Sequence, residues 1–511
     1  MRKSVGKSLS YVFVFTIIAK LLGFLREMCL SYFFGASGVS DAYLISQNIP
    51  GTIFLFVGTG LATSYIPVFF KIKSDDGQNE ANSFTSSVLS MVLLFSTFII
   101  VLVLFFTPFI VKLFASGFEG ETFKYAILFT RICIFSLYFS SVIYVYSSFL
   151  QANDVFGITA FSSIPNSIVI MIAIICGAKI NIWLLSIVSV LATAVQALVL
   201  IPSVHKFKYR FQFTIEWDKR YTGMFFKLLF PVVLGVSVNE INMLVDRTIA
   251  SNIAIGAISA LTYANSLIQL VQGGIVQPII TVYYPVITKG VVNNNSYEIE
   301  RIVEKILSCL MTILLPITAA VIVFSHQIID FVFGRGAFDS NAAILTSKAF
   351  LFYSLGICAT GLRELVARIF YASSDTKTPM KNASIGMMIN IVLNIFLSSI
   401  IGISGLALAT SISSIISFVL LFLECRKKLT YINIDFNIKD SIKILASTVL
   451  FTMSSFFIYI NIGVYMSDNL SLIISLILGG VAYILIGYWL QINSIKEMSK
   501  FLENAKEKHG I

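Results

Sequence analysis

Hardly anywhere in this 511-residue chain do more than about 20 residues pass before another apolar run of membrane-spanning length begins. Fourteen segments qualify as transmembrane helices, the first at 8–34 and the last at 470–491. The composition, 57% hydrophobic and only 12% charged, with a mean hydropathy of +0.89, exceeds what a soluble domain can cover with polar surface. The expected fold class is therefore all-α, a polytopic membrane protein of about 14 spans. The first segment is too long for a cleavable signal, carries charges and lacks a small-residue cleavage site, so it is expected to stay as a span. The six cysteines stand at no metal or redox spacing, and the three histidines are far apart.

The basic residues test this map. With the N-terminus inside, 24 of the 36 Lys and Arg fall on the cytoplasmic side, Lys112, Lys124, Lys179, Arg335 and Lys348 fall outside, and seven lie within spans. This bias supports an even number of spans with both termini cytoplasmic. The net charge of +10 is then explained by loops facing anionic lipid head groups, and no nucleic-acid partner is expected. Large aqueous loops that could carry an active site are missing from the pattern, which argues against a membrane enzyme.

The sequence also repeats itself at an offset of about 220 residues. "DAYLISQNIPGTIFLFVGTGLATSYIPVFFK" (41–71) aligns with "LTYANSLIQLVQGGIVQPIITVYYPVITK" (261–289), pairing Tyr43 with Tyr263 and Pro67 with Pro285. "LFASGF" (113–118) corresponds to "VFGRGAF" (332–338), and "FLQANDVF" (149–156) to "FYASSDTK" (370–377). The expected organisation is a six-helix lobe over 1–222, a second over 223–430, and two additional helices with a cytoplasmic tail over 431–511. Repeats with an even number of helices share one orientation, the plan of transporters that bind substrate between their halves and work by alternating access.

"AKLLGFLREMC" (19–29) places Lys20, Arg26 and Glu27 inside the first apolar segment. Charges at such depth cost about 2.5–3.5 kcal/mol on insertion scales and face a partner or a wet cavity. Lys20 and Glu27, seven residues apart, share a helical face, with Arg26 about 100° round from Glu27. A wet cationic cavity suits an anionic substrate, and guanidinium matches phosphate. The plainer alternative is an Arg26–Glu27 salt bridge that only supports packing. Arg247 beside Asp246, and Arg363 beside Glu364, read as structural or gating pairs.

Taken in series, "KLLGFLRE", "FGASGVSDAY", "VDRTIAS", "FGRGAFD", "YASSDTKTPMK" and "GLALATS" resemble the MurJ (MviN) lipid II flippases of the multidrug/oligosaccharidyl-lipid/polysaccharide exporter superfamily. The resemblance implies a bacterial inner-membrane protein with a cationic cavity for an undecaprenyl-pyrophosphate-linked glycan, and a groove for the lipid tail in the last two helices. It carries substrate binding onto Lys20, where the family has arginine, and onto Arg26, Glu27 and Asp41. It also implies cavity charges at positions that here hold Phe54, Thr59 and Ser266. Some members carry a sodium site, whose pattern falls on Asp246, Asn390, Asn394, Leu406 and Thr410. Spacing alone puts 390 with 394 and 406 with 410 on shared helical faces, with oxygen donors suited to a hard cation; helix packing through hydrogen bonds is the alternative.

The leading expectation is a monomeric flippase for a lipid-linked anionic glycan, most simply lipid II, with sodium as candidate coupling ion and no other cofactor. A flippase for capsular or exopolysaccharide repeat units and a drug/cation antiporter of the same superfamily stand behind it. A non-transporting scaffold would leave the buried cations without purpose.

Overall fold

A computed structural model describes residues 2–214, 219–293, 295–429 and 438–496, and these are helical with no strand. The centre of the basic connector, the segment before the last two helices and the tail beyond 496 lie outside the described residues, as does the side chain of Thr59. The first helices are α1 (Arg2–Phe34), α2 (Gly38–Asp75), α3 (Gln78–Phe114), α4 (Gly120–Cys133), α5 (Ser136–Ala152), α6 (Gly157–Phe161), α7 (Ser163–Lys179) and α8 (Leu184–His205). They are followed by α9 (Lys219–Ile253), α10 (Ala257–Val271), α11 (Gln277–Val292), α12 (Ser296–Phe333), α13 (Ser340–Ser354) and α14 (Ile357–Ala372). The chain ends with α15 (Lys377–Ile401), α16 (Ile403–Lys428), α17 (Ile438–Gly463) and α18 (Asp468–Trp489).

Among the described residues 9 helices are long and apolar enough to cross a membrane, or 11 when each of two bent pairs counts as one span. Those pairs are α4 with α5, bent by 46°, and α13 with α14, bent by 42°. Three further helices, α1, α2 and α9, contain 33, 38 and 35 residues, and at 1.5 Å per residue each exceeds the hydrocarbon thickness of about 30 Å. In length alone they match the remaining three of the expected fourteen spans.

The duplication is visible as backbone defects. α3 breaks helical geometry at Phe106 (φ −103°, ψ 18°) and α12 at Phe324 (φ −114°, ψ 21°). Left-handed residues precede α2 and α10 at Gly35 (φ 62°) and Gly256 (φ 84°), and end the bent spans at Asp154 (φ 61°) and Ser374 (φ 60°). Each pair is separated by the repeat offset, so the two halves of the chain inherit the same kinks as well as the same apolar runs. In the turn after α14, Asp375 accepts hydrogen bonds from Thr378 Oγ1 (2.6 Å) and Thr378 N (3.0 Å). With Lys428 Nζ 3.8 Å away, these bonds hold its carboxyl below the usual carboxylate range.

Close packing divides the chain into two units that do not follow the repeat boundary. The first comprises residues 1–263 with 335–339, and the second 264–334 with 340–511. By sequence, α9, the start of α10 and the 335–339 loop belong to the second repeat; by packing they belong with the first.

The first unit has an aromatic core in which Tyr65, Phe69, Phe149 and Tyr209 are buried. Its hydroxyls are satisfied locally: Tyr65 with Thr85 Oγ1 at 2.5 Å, and Ser86 Oγ donating to Tyr209 at 3.1 Å. In the second unit, α17 and α18 pack through Phe451 and Tyr483, whose ring centroids are 6.0 Å apart. The Tyr483 hydroxyl donates to Thr312 O at 2.8 Å, which ties this last pair to α12. The remaining faces of α17 and α18 carry exposed Leu445, Phe457, Ile477 and Leu485, as expected of surfaces that meet lipid.

Candidate functional site

The polar residues of the first unit gather at two levels. At the deeper one, Arg26 of α1 directs Nη2 and Nε to Glu27 Oε1, at 2.8 and 3.3 Å. The pair is lopsided: the arginine side chain keeps 36% of its surface and the glutamate 9%. Glu27 Oε2 is buried without a hydrogen-bond partner. The salt bridge weighed from sequence therefore exists, yet it immobilises a guanidinium that still presents donors outward. Lys20, nearly two turns earlier, is exposed. An ammonium exposed within a spanning helix needs water or an anion rather than hydrocarbon around it.

The second level sits at the end of the unit expected to face outward. Here "FGASGVSDAY" folds as a turn and a helix start: Ser37 caps α2, its hydroxyl accepting from Ser40 N while Ser40 Oγ accepts from Ser37 N. That box presents Asp41 on the first turn, 1% exposed. Asp41 caps a different helix. Its Oδ2 accepts from Gly256 N at 2.7 Å, and its Oδ1 from Ser259 N at 2.7 Å and Ser259 Oγ at 2.5 Å. The first N–H groups of α10, left open by helix geometry, are thus answered by a carboxylate, which also suits the helix dipole. In this conformation both oxygens of Asp41 are taken up by bonds that close the α2 start onto the α10 start.

Several bonds missed by sequence reasoning reinforce the closure. Tyr263 donates to Gly35 O at 2.9 Å, and Ala337 N to Tyr32 O at 2.8 Å. Thr248 donates to Leu113 O at 3.0 Å, and Gly117 N to Ser251 Oγ at 3.0 Å. A Cβ built on Gly35 would strike the carbonyl of Ala337, and one on Gly256 that of Ala36. Both glycines have positive φ, so backbone approach and turn geometry each exclude a side chain. The glycines of "FGASG" (34–38) and "FGRGAF" (333–338) stand in the sequence, but spacing alone does not say that the two loops meet.

Of the expected ion ligands, four come together in the second unit. Asn394 Nδ2 donates to Asn390 Oδ1 at 2.8 Å, Asn390 Nδ2 reaches Thr410 Oγ1 and Ser413 Oγ at 3.4 Å each, and Thr410 Oγ1 donates to Leu406 O at 3.0 Å. Asn390, Asn394 and Leu406 are buried. Two amide oxygens, a hydroxyl and a main-chain carbonyl are the oxygen types that a hard cation takes. Asp246, the fifth expected ligand, lies on α9 in the first unit. Among the described residues no three His, Cys, Asp or Glu side chains form a metal-holding group. The expected Arg363–Glu364 pair is replaced: Glu364 Oε1 accepts from Gln277 Nε2 at 2.5 Å and pairs with Arg368 at 3.5 Å.

Removing the Asp41 carboxylate should leave buried donors at the start of α10 unanswered, at a cost of about 1–3 kcal/mol. Asp41→Ala is expected to lower the unfolding temperature. It should also speed maleimide labelling of a cysteine introduced at Phe338, which is buried at this end against Tyr263. Unchanged labelling would show that the cap does not hold the end closed.

Comparison with known proteins agrees with this architecture. The family model described as "Lipid II flippase MurJ" matches residues 30–487. A probable lipid II flippase MurJ from Buchnera aphidicola subsp. Baizongia pistaciae is 27% identical over 473 residues, covering 91% of each chain. One from Thermotoga maritima is 25% identical over 501 residues, covering 97% of this chain and 98% of its own. Among solved structures, "Lipid II flippase MurJ, inward closed conformation" superposes with a TM-score of 0.81 at 27% identity, over 94% of this chain and 98% of that one. An inward-facing multidrug transporter of the MATE family shares the fold at a TM-score of 0.69 and 12% identity, covering 81% of this chain and 94% of its own. With the family model spanning most of its length, this chain belongs to the MurJ lipid II flippase family.

Proposed function

We propose that this protein moves lipid II, the undecaprenyl-pyrophosphate-linked precursor of peptidoglycan, from the inner to the outer leaflet of a bacterial cytoplasmic membrane. The observation that carries the reading is the near full-length match to a lipid II flippase structure, together with a half-buried, carboxylate-pinned arginine inside the first span. Translocation needs no bond to be made or broken, so the chain acts as a transporter rather than an enzyme. The positive-inside bias supports an orientation with both termini in the cytoplasm. Nothing in the function requires a second copy, and the protein is proposed to work as a monomer.

Arg26 and Lys20 would receive the pyrophosphate. Glu27 occupies Nε and Nη2 of Arg26 through one oxygen, which orients the guanidinium and leaves Nη1 for phosphate oxygens. The lattice around Asp41, Gly35 and Ala337 keeps the outer end closed while the head group loads from the cytoplasmic side. Release outward then requires these bonds to part and the opposite end to close, as alternating access demands.

For sodium, Asn390, Asn394, Thr410 and the Leu406 carbonyl are the proposed ligands in the second unit. A bound cation would supply positive charge there and order α15 against α16. The residues themselves are already pre-positioned by the Asn394–Asn390 and Thr410–Leu406 bonds.

Depletion in cells is expected to leave lipid II on the cytoplasmic side; a capsular or exopolysaccharide intermediate instead would assign the protein to that substrate. Arg26→Ala should abolish transport with the protein still inserted and folded, because its ion pair links adjacent residues of one helix. Retained transport would confine Arg26 to packing. Sodium, compared with potassium at equal ionic strength, should stabilise the protein by about 1.4 kcal/mol at ten times its dissociation constant. Asn390→Ala should remove that increment; equal stabilisation by both ions would exclude the site.

A further inference from the structure

A second arginine is held inside a span in the manner of Arg26, and the transport scheme does not use it. On α14, Glu364 Oε1 accepts from Arg368 Nη2 at 3.5 Å. The same oxygen accepts from Gln277 Nε2, which arrives from α11, at 2.5 Å. The Arg368 side chain keeps 35% of its surface, against 36% for Arg26. Its Cζ lies 5.6 Å from the ring centroid of Tyr284, also on α11, within the range of a cation–π contact. The guanidinium is thus fixed from two directions, by a carboxylate that is itself fixed and by the face of a ring.

Packing does not require this arrangement. The Gln277–Glu364 bond joins α11 to α14 without the arginine, and Leu365, Val366, Ile369 and Phe370 bury the apolar side of α14. A long polar side chain held half-exposed loses rotamer freedom, and one bond of 3.5 Å at a part-exposed pair returns little of that cost. Its Nε and Nη1 make no hydrogen bond among the described residues. A guanidinium held still with one edge open is prepared for a planar or forked acceptor.

Depth narrows the class. Arg368 stands four residues, about 6 Å of rise, before the end of α14 at Ala372. The chain then runs to Lys377 and Lys381, on the side that the charge bias assigns to the cytoplasm. That is the level of lipid head groups. Tyr371, three residues on along the same side of the helix, is 39% exposed, an amphipathic ring of the kind that collects where hydrocarbon meets water. We infer that Arg368 forms a second phosphate site, in the second unit, which holds the phosphate of a membrane-resident lipid at the cytoplasmic surface. Two lipids bring that group there: an ordinary anionic phospholipid, and the pyrophosphate-linked glycolipid before it is loaded. The second source rests on the proposed function, and the first does not. Glu364 and Tyr284 are positioning residues, which set the plane of the guanidinium that meets the phosphate.

The test is lipid retention by the full-length detergent-purified protein in native mass spectrometry, with phosphatidylglycerol and undecaprenyl pyrophosphate offered separately. Arg26→Ala serves as the background, so that the first unit does not mask the second. In it, Arg368→Gln should lower retention several-fold without moving the lipid-free unfolding temperature, since the Gln277–Glu364 bond remains. A loss confined to phosphatidylglycerol assigns the site to phospholipid, and a loss confined to undecaprenyl pyrophosphate assigns it to the transported lipid. Arg368→Lys, which keeps the charge but not the fork, should recover only part of the binding. Unchanged retention of both lipids in Arg368→Gln, or full retention in Arg368→Lys, would overturn the inference. A protein that moved no lipid II would still give the phosphatidylglycerol result, so the two readings fail separately.

Discussion

Main-chain N–H groups at the start of a helix must find acceptors, and in a membrane protein there is little water to provide them. The start of α10 finds them on Asp41, a carboxylate from a helix more than 200 residues earlier in the chain. Much of the first unit follows from that bond. It brings α10 beside the α2 start, sets Ser259 Oγ 2.8 Å from Ser40 Oγ, and puts Tyr263 within reach of Gly35 O. The glycines at 35 and 256 are needed because backbones approach so closely around the cap that a methyl group would collide with a carbonyl. A seal built from main-chain contacts and one carboxylate can be broken and remade without repacking a hydrophobic core, which suits an end that must open and close.

The repeat explains why this seal sits where it does. Gly35 and Gly256 are equivalent positions preceding equivalent helices, and Tyr263 is the counterpart of Tyr43. Each half of the chain thus contributes the same turn, and the two turns meet. Their partners then diverge: Tyr43 hydrogen-bonds Ser189 at 2.8 Å within the bundle, whereas Tyr263 bonds the turn before α2. Duplication supplied matched geometry, and sequence divergence turned one copy inward and the other toward its neighbour.

The all-helical class and the repeat were legible in the sequence, because each depends on local apolar runs and their recurrence. The pairing of residues 390 with 394 and 406 with 410 was legible for the same reason: helical periodicity fixes which positions share a face. The capping bonds of Asp41 were not, since nothing local distinguishes a carboxylate that lines a cavity from one that caps a helix remote in sequence. The packing of α9 and the 335–339 loop with the first unit was hidden likewise, since apolar periodicity shows that a face is covered but not by what. Glu364 illustrates a smaller version of the problem: adjacency suggested Arg363, but a helical turn brings residue 368 to the same face, and Gln277 arrives from another helix.

The departures from the family pattern bear on how an anion is held. At position 54, where the resemblance implies an arginine, this chain has a phenylalanine that is 3% exposed, its ring centroid 5.3 Å from that of Tyr144. An arginine in that aromatic contact would have to keep its guanidinium hydrated or paired, so the position belongs to the core of the first unit rather than to a wet surface. The proposed recognition of a pyrophosphate in that unit then rests on two cations of unlike character. Arg26 is planar and fixed by Glu27, fit to define where a phosphate sits; Lys20 is a mobile point charge on a flexible stem, fit to follow it. Along α1 the exposed lysine precedes the half-buried arginine by six residues, about 9 Å of rise. Under the proposed orientation and binding residues, a head group entering from the cytoplasm would meet the mobile charge first and the fixed one second.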